Sequence, residues 1–323
     1  MAAWFHLLRP WSYAATLVPF LAAAALAPGM DADWPRWVGG LVVGLLFQAT
    51  VNLLNTWGDE RSGVDGVPGA VRTTPQVHDG LVSMRALLAA AVTCAALASA
   101  GGMLLCFRVA DGEVLFNTPL LVAGALGFLG ATNYSTGIKF KYLGLGVPFA
   151  SILMGPLETF AAVALLDPGR AVLIFSDAGM LAVFAAWTLP AAALVGVIMH
   201  GNDMRDIPTD RAAGITTLAS RLGPRGALGY YCACHVIPYA ACAVLAALAA
   251  FASGIRGALF LVPFICLPLT ARTLCAAIRA YLECPECPKW RRLERASGLV
   301  HLAFGVLYSA STFLWLSQLE VVR

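Results

Sequence analysis

Nine apolar stretches, most of them about twenty residues long, alternate with short polar breaks along the chain. They fall at about 12–28, 37–57, 84–107, 117–134, 144–166, 178–200, 226–252, 257–281 and 297–318. A helix of roughly 20 apolar residues crosses a hydrocarbon core of about 30 Å, so each stretch predicts a transmembrane helix. The first stretch is a retained span, because Met1 to Arg9 shows neither the basic region nor the cleavage site of a signal peptide. Nine spans put the two termini on opposite faces of a bilayer. The pattern therefore predicts an all-α, polytopic membrane protein.

Composition agrees with the pattern and narrows it. Of 323 residues, 59% are hydrophobic and 12% charged, about half the ~25% charged content of soluble domains. Mean hydropathy is +0.77. So few polar side chains cannot cover a soluble fold of this size, and the lipid bilayer is the expected surroundings. A net charge of +3 is too small to point to nucleic acid. The basic residues are unevenly placed. Fifteen of the 21 Lys and Arg fall on the side of the N-terminus and the longest loops, and five on the other, with Arg272 inside a span. By the positive-inside rule the N-terminus and those loops are expected to be cytosolic. Nine scattered cysteines, mostly within apolar runs, predict small buried hydrophobes rather than a disulfide framework, and Cys284-Pro-Glu-Cys287 alone is a weak metal or redox signal.

Two polar signatures interrupt this pattern. Asn55-Thr-Trp-Gly-Asp59 closes the second span and Asn202-Asp-Met-Arg-Asp206 closes the sixth, 147 residues apart. Both read Asn-x-x-x-Asp, and a further carboxylate follows each, Asp65 and Asp210. Spacing of four puts Asn and Asp on one helix face, and Pro208 is expected to end the second helix with Asp210 at its rim. The recurrence predicts two similar four-helix halves plus one helix. Ionisable groups at a membrane boundary are functional candidates by default. Two facing Asp clusters offer hard oxygen ligands of the kind Mg²⁺ takes together with substrate phosphates. Arg72, Lys139, Lys141, Arg205 and Arg211 are the cations available for phosphate oxygens. A diphosphate at the mouth of an apolar bundle, with its tail in a lipid-like cavity, is a polyprenyl diphosphate. Loss of the diphosphate leaves an allylic cation, which the ring face of Trp57 or Tyr134 can shelter, and an electron-rich carbon attacks it.

At this point the chain resembles the UbiA superfamily of intramembrane prenyltransferases, over nearly its whole length, and within it most closely the menaquinone (vitamin K₂) branch. The matching stretches are Leu8-Arg-Pro-Trp-Ser12, Asn52 to Asp65, Arg72-Thr73, Tyr134 to Gly146 with Gly155-Pro156, His200 to Ala219 with Arg221-Leu-Gly223, and His301 with Phe304-Gly305. The resemblance implies one UbiA-type domain over 1–323, with motif loops at about 58–83, 135–143 and 201–225. It implies that Asp59, Asp65, Asp206 and Asp210 hold Mg²⁺, as two ions bridging the diphosphate. Asn55, Asn202, Arg72, Lys141, Arg205 and Arg211 would contact the diphosphate, and Tyr134 would stand near the reacting allyl group. The implied partners are a polyprenyl diphosphate and an aromatic, quinol-type acceptor. The implied membrane is the endoplasmic reticulum or Golgi in a eukaryote and the plasma membrane in a bacterium. Thr56 stands where many members have Asp; the animal vitamin K₂ branch also has Thr there. Loop 66–71 and Val147 are neutral where relatives carry charge, and Asp203 replaces an Asn. The competing readings are another UbiA-type prenyl transfer, cyclisation of the prenyl chain, and, from a different class, a transporter. Against the transporter stands the near absence of charge within the spans.

Overall fold

The computed structural model describes residues 2–28, 32–62, 75–110, 112–286, 288–290 and 292–320. Asp65, Arg72 and Cys287 lie outside these residues. The described chain is helical apart from one short hairpin. In order it runs α1 (Ala2–Leu8), α2 (Ala14–Ala24), α3 (Trp34–Ser62), α4 (Pro75–His78), α5 (Met84–Leu105), β1 (Phe107–Ala110), β2 (Glu113–Phe116), α6 (Thr118–Asn133), α7 (Gly146–Ile152), α8 (Glu158–Leu166), α9 (Pro168–Ser176), α10 (Ala178–Ala212), α11 (Leu218–Ser253), α12 (Leu267–Glu283) and α13 (Leu293–Glu320). A π-helical turn, Leu153–Leu157, joins α7 to α8, and a 3₁₀ stretch, Gly254–Cys266, leads into α12.

Helices stand at every apolar stretch, but length divides them. Seven helical segments among the described residues are long and apolar enough to cross a membrane. The first and fourth expected spans are shorter helices, Ala14–Ala24 and Thr118–Asn133. Eleven residues at 1.5 Å each make α2 only about 16 Å long. The chain before α2 is broken by Pro10 and by the left-handed backbone of Arg9 (φ 51°), which keeps α1 and α2 from fusing.

One further expectation is corrected, and one element is added. Pro208 does not end its helix: α10 continues through it to Ala212. A proline removes its N–H from the helix ladder and crowds the carbonyl four residues back, yet the helix carries on through it, and the Thr209 hydroxyl donates to the Asp206 carbonyl at 2.9 Å. The helix stops at Gly214, whose positive φ of 69° suits a residue without Cβ. The hairpin between α5 and α6 is also new, pairing Phe107 with Phe116. It lies at the start of α3, where the Arg36 guanidinium donates to the Phe107 carbonyl at 2.6 Å.

Helix α10 packs along α11 and α13, α2 against α8 and α13, and α3 against α5. The main core joins α8, α10, α11 and α13 through residues such as Phe160, Trp187, Tyr231 and Phe304. Large apolar side chains such as Val42, Val92, Val183 and Leu248 are exposed, as expected of helices that face lipid. The packing leaves α3, α5, α6 and α8 standing around a hollow into which the end of α10 also looks.

Candidate functional site

The first signature is held by contacts from far along the chain. Asp59, on the last turn of α3, accepts hydrogen bonds from Lys141 Nζ at 2.8 and 3.0 Å and from the Tyr142 hydroxyl at 3.0 Å. Asn55 Oδ1, one turn earlier, accepts from the Ser135 hydroxyl at 2.7 Å and from Lys141 at 3.3 Å. Gly58 permits this approach: a Cβ there would lie 3.0 Å from the Ser135 carbonyl oxygen and 3.2 Å from Ser135 Cβ. Burial is the largest single influence on Lys141 and works against its charge, but Asp59, Tyr134, Tyr142 and Asp203 together outweigh it, and the ammonium is held above its ordinary pKa.

The second signature is satisfied closer to home. Arg205 Nε and Nη2 donate to the two carboxylate oxygens of the adjacent Asp206, both at 2.7 Å. The Arg205 guanidinium also lies 3.4 Å from Glu294, at the start of α13. Asn202 and Asp203 face the same space, with Asp203 only 4% exposed. Asp210 turns away: it is buried and accepts from the Thr217 hydroxyl at 3.1 Å. Arg211 donates to the Ser220 carbonyl at 3.3 Å in an exposed position. Neither Asp210 nor Arg211 lines the hollow.

Both signatures open onto one chamber of about 580 Å³. Its mouth carries Asn55, Asp59, Lys141, Asn202, Asp203, Arg205 and Asp206, and its walls are largely apolar, with Phe20, Phe47, Phe128 and Met154 among them. Tyr134 lines the chamber. Trp57 does not; it packs in a separate cluster with Leu7 and Leu87 and lies under the Arg61 guanidinium, 5.0 Å from the ring centroid. Among the described residues no three His, Cys, Asp or Glu stand close enough to form a ready-made metal cluster.

Four contributors were not singled out from sequence. Arg9 belongs to the matching stretch Leu8 to Ser12 but was not expected to contact substrate, yet it lines the mouth and its guanidinium donates to Thr56 Oγ1 at 3.4 Å. Its motif, Leu8 to Ser12, was the available signal. Tyr142 sits one residue from Lys141, and Asp203 within the second signature. Glu294 had no signal, because nothing along the chain brings it beside Arg205. The buried His200 ring donates to the Ala227 carbonyl on α11 at 3.0 Å. Among the described residues seven cysteines are free, but Cys284 is disulfide-bonded, which corrects the reading of the cysteines as small buried hydrophobes.

A polytopic helical bundle whose apolar chamber opens at a mouth of paired carboxylates and cations defines a class of intramembrane protein that handles amphipathic anions. Comparison with known proteins gives the family. Residues 16–293 match the model of the UbiA prenyltransferase family, and the chain belongs to that family; it is a prenyltransferase. It is 31% identical over 256 residues to UbiA prenyltransferase domain-containing protein 1 of Homo sapiens, covering 76% of this chain and 68% of that one. It is 29% identical over 313 residues to the Danio rerio protein of the same name, covering 95% and 84%. In fold it is similar to a UbiA homologue from Archaeoglobus fulgidus bound to GPP and Mg²⁺, with a TM-score of 0.59 at 18% identity, over 97% of this chain and 99% of that one. A UbiA homologue from Aeropyrum pernix K1 is similar at a TM-score of 0.58 and 18% identity, over 91% and 96%.

Proposed function

We propose that this prenyltransferase moves a prenyl group from a polyprenyl diphosphate, bound with Mg²⁺ at the mouth, to a quinone-type aromatic acceptor, and that it acts in menaquinone (vitamin K₂) formation. The observation that carries the reading is the shared chamber. Two Asn-x-x-x-Asp signatures, 147 residues apart in sequence, line one polar mouth above an apolar interior. An anion with a long hydrocarbon tail fits both parts at once. The similarity to animal UbiA domain-containing proteins supports placing it in the vitamin K₂ branch.

The donor set suits Mg²⁺. Asp59 and Asp206 present hard carboxylate oxygens to the same space, and Mg²⁺ is commonly bound by one or two carboxylates plus substrate phosphates rather than by an all-protein cage. Asp59 and Asp206 would hold it, with Asp65 as a further ligand of the first signature; Asp210, turned to Thr217, supports the helix end instead. When bound, the metal would offset negative charge on the diphosphate.

The chain's own residues supply the rest. Lys141, Arg205 and Arg9 surround the mouth with positive charge, which stabilises the diphosphate as the bond from the allylic carbon to oxygen breaks and the electron pair leaves with it. Tyr134, buried on the chamber wall, offers a ring face to the allylic cation. The apolar walls exclude water that would otherwise capture that cation. The acceptor carbon then forms the new bond and the ring gives up its proton. Following the basic-residue bias, the mouth faces the cytosol.

The test is product analysis by mass spectrometry of purified protein given Mg²⁺, geranylgeranyl diphosphate and a panel of naphthoquinols and 4-hydroxybenzoate. A prenylated naphthoquinol is the expected product. Diphosphate release without any acceptor, with a cyclised hydrocarbon as product, would overturn the reading.

A further inference from the structure

The mouth accounts for the diphosphate, but the chamber carries a second polar feature deep in its apolar part. Down α3 from Asp59, the residues facing the chamber include Asn55, Asn52, Gln48 and Gly44, beside the apolar Val51, Phe47 and Val43; spacings of four, three, four and four put the first set on one helix face. Asn52 Nδ2 donates to the Leu8 carbonyl at 2.7 Å and to Ser12 Oγ at 3.0 Å, so the stretch before α2 closes over the upper wall. Gln48 Nε2 donates to Ser12 Oγ at 3.1 Å, but Gln48 Oε1 has no partner among the described residues although the side chain is only 6% exposed. One turn lower, three elements converge on Gly44. A methyl group there would lie 3.0 Å from Thr16 Cγ2 on α2 and 3.2 Å from Glu158 Oε1 on α8. Gly44 is fifteen residues from Asp59, about 22 Å along the helix, well inside a hydrocarbon core of about 30 Å.

A carboxyl group and an unpaired amide oxygen are costly in such a place. The wall around them is otherwise largely apolar, with Phe20, Phe47 and Met154 among its residues. The π-helical turn Leu153–Leu157 ends immediately before Glu158, and such turns recur at functional sites. A prenyl tail has no hydrogen-bond donor to offer Gln48. A hydroxylated ring has one.

We propose that Gln48 and Glu158 are specificity-determining residues that receive hydroxyl groups of the aromatic acceptor. The acceptor is then a dihydroxylated arene seated against the α3 wall below the diphosphate, with one hydroxyl donating to Gln48 Oε1. Gln48 lies eleven residues from Asp59, about 16 Å along the axis, which leaves room for the diphosphate and one ring system between them. This inference rests on the prenyl-transfer reading above.

The test uses the full-length enzyme in lipid nanodiscs with Mg²⁺, geranylgeranyl diphosphate and two acceptors, reduced 1,4-dihydroxynaphthalene and its monomethyl ether, 4-methoxy-1-naphthol. The wild type is expected to favour the diol in kcat/KM by about tenfold. Gln48→Leu and Glu158→Leu should each raise KM for the diol by about tenfold and abolish that preference, with KM for geranylgeranyl diphosphate moved less than about twofold. Glu158→Gln, which keeps a hydrogen-bonding group, should retain most of the preference. Gly44→Ala leaves both polar groups in place and should weaken the diol through crowding, so the proposal stays testable if a leucine variant does not fold. Unchanged discrimination in the variants, or an equal rise in both KM values, overturns the inference while leaving prenyl transfer intact. If the wild type prenylates neither acceptor nor any other arene, the prenyl-transfer reading itself fails and this inference falls with it.

Discussion

The two sides of the mouth carry the same short signature and neutralise it differently. Asp59 takes its cation from Lys141, on a separate segment 82 residues away, and a third contact from Tyr142. Asp206 takes its cation from the next residue, Arg205, and the pair is tied to α13 through Glu294. The first side is a tertiary junction: α3 and the segment after α6 meet at an ion pair whose side chains are 11% and 12% exposed. The second is largely built within one helix, and its outside contact binds the guanidinium rather than the carboxylate. Equal sequence spacing therefore does not mean equal dependence on the rest of the fold.

That contrast can be broken or sharpened by mutation. The largest effect should be shared by both sides. Asp59→Ala and Asp206→Ala should each lower Mg²⁺-dependent prenyl transfer by about 100-fold or more, read as product by mass spectrometry, and chelation of Mg²⁺ should do the same reversibly to the wild type. Full activity in both variants would remove these carboxylates from the chemistry. Stability should separate the sides. Asp59→Asn strands Lys141 beside Asn55 and is expected to cost about 3–5 kcal/mol, as for a buried pair broken on one side. Asp206→Asn leaves Arg205 with Glu294 and should cost about 1–3 kcal/mol. Thermal unfolding in detergent measures both, and equal shifts in Tm would refute the asymmetry.

Smaller effects follow. Glu294→Gln should raise KM for the prenyl diphosphate only about two- to fivefold, because the contact to Glu294 is the longer one at 3.4 Å and Arg205 keeps its two 2.7 Å bonds to Asp206. A larger loss would make α13 a full partner in the mouth. The smallest expected effect is with pH. Asp59 holds the Lys141 ammonium above its ordinary pKa. Its stabilising contribution is therefore fully present below the unfolded lysine value of about 10.4 and declines only as pH rises past it towards the folded value. The difference in Tm between the wild type and Lys141→Met should stay constant from pH 6 to pH 9. A difference that shrinks across that window would show Lys141 releasing its proton early.

Much of the site could be read along the chain because its parts are local. Asn55 with Asp59, and Asn202 with Asp206, are one helical turn apart, so helix geometry alone sets each pair on a face. Lys141 and Tyr134 flank a segment whose polarity marks it as a break between spans. Other positions gave no such sign. Asp210 follows Asp206 at the same interval, yet it turns to Thr217 because α10 runs on through Pro208 and ends in the turn at Gly214. Trp57 lies within the first signature but packs away from the chamber, with Leu7 and Leu87 and under Arg61. Glu294 comes beside Arg205 only because α13 packs along α10.

Hydrophobic periodicity and charge bias by themselves determined a helical, membrane-embedded bundle with two polar helix ends, because a bilayer punishes unpaired backbone and buried charge in any such chain. Only the tertiary structure decided that those ends share one chamber, that Arg9 and Glu294 join them, and that Thr16 and Glu158 meet at Gly44, one turn below Gln48. Such meetings depend on which helix faces are turned towards each other, and that is set by side-chain packing across the whole bundle rather than by any one segment.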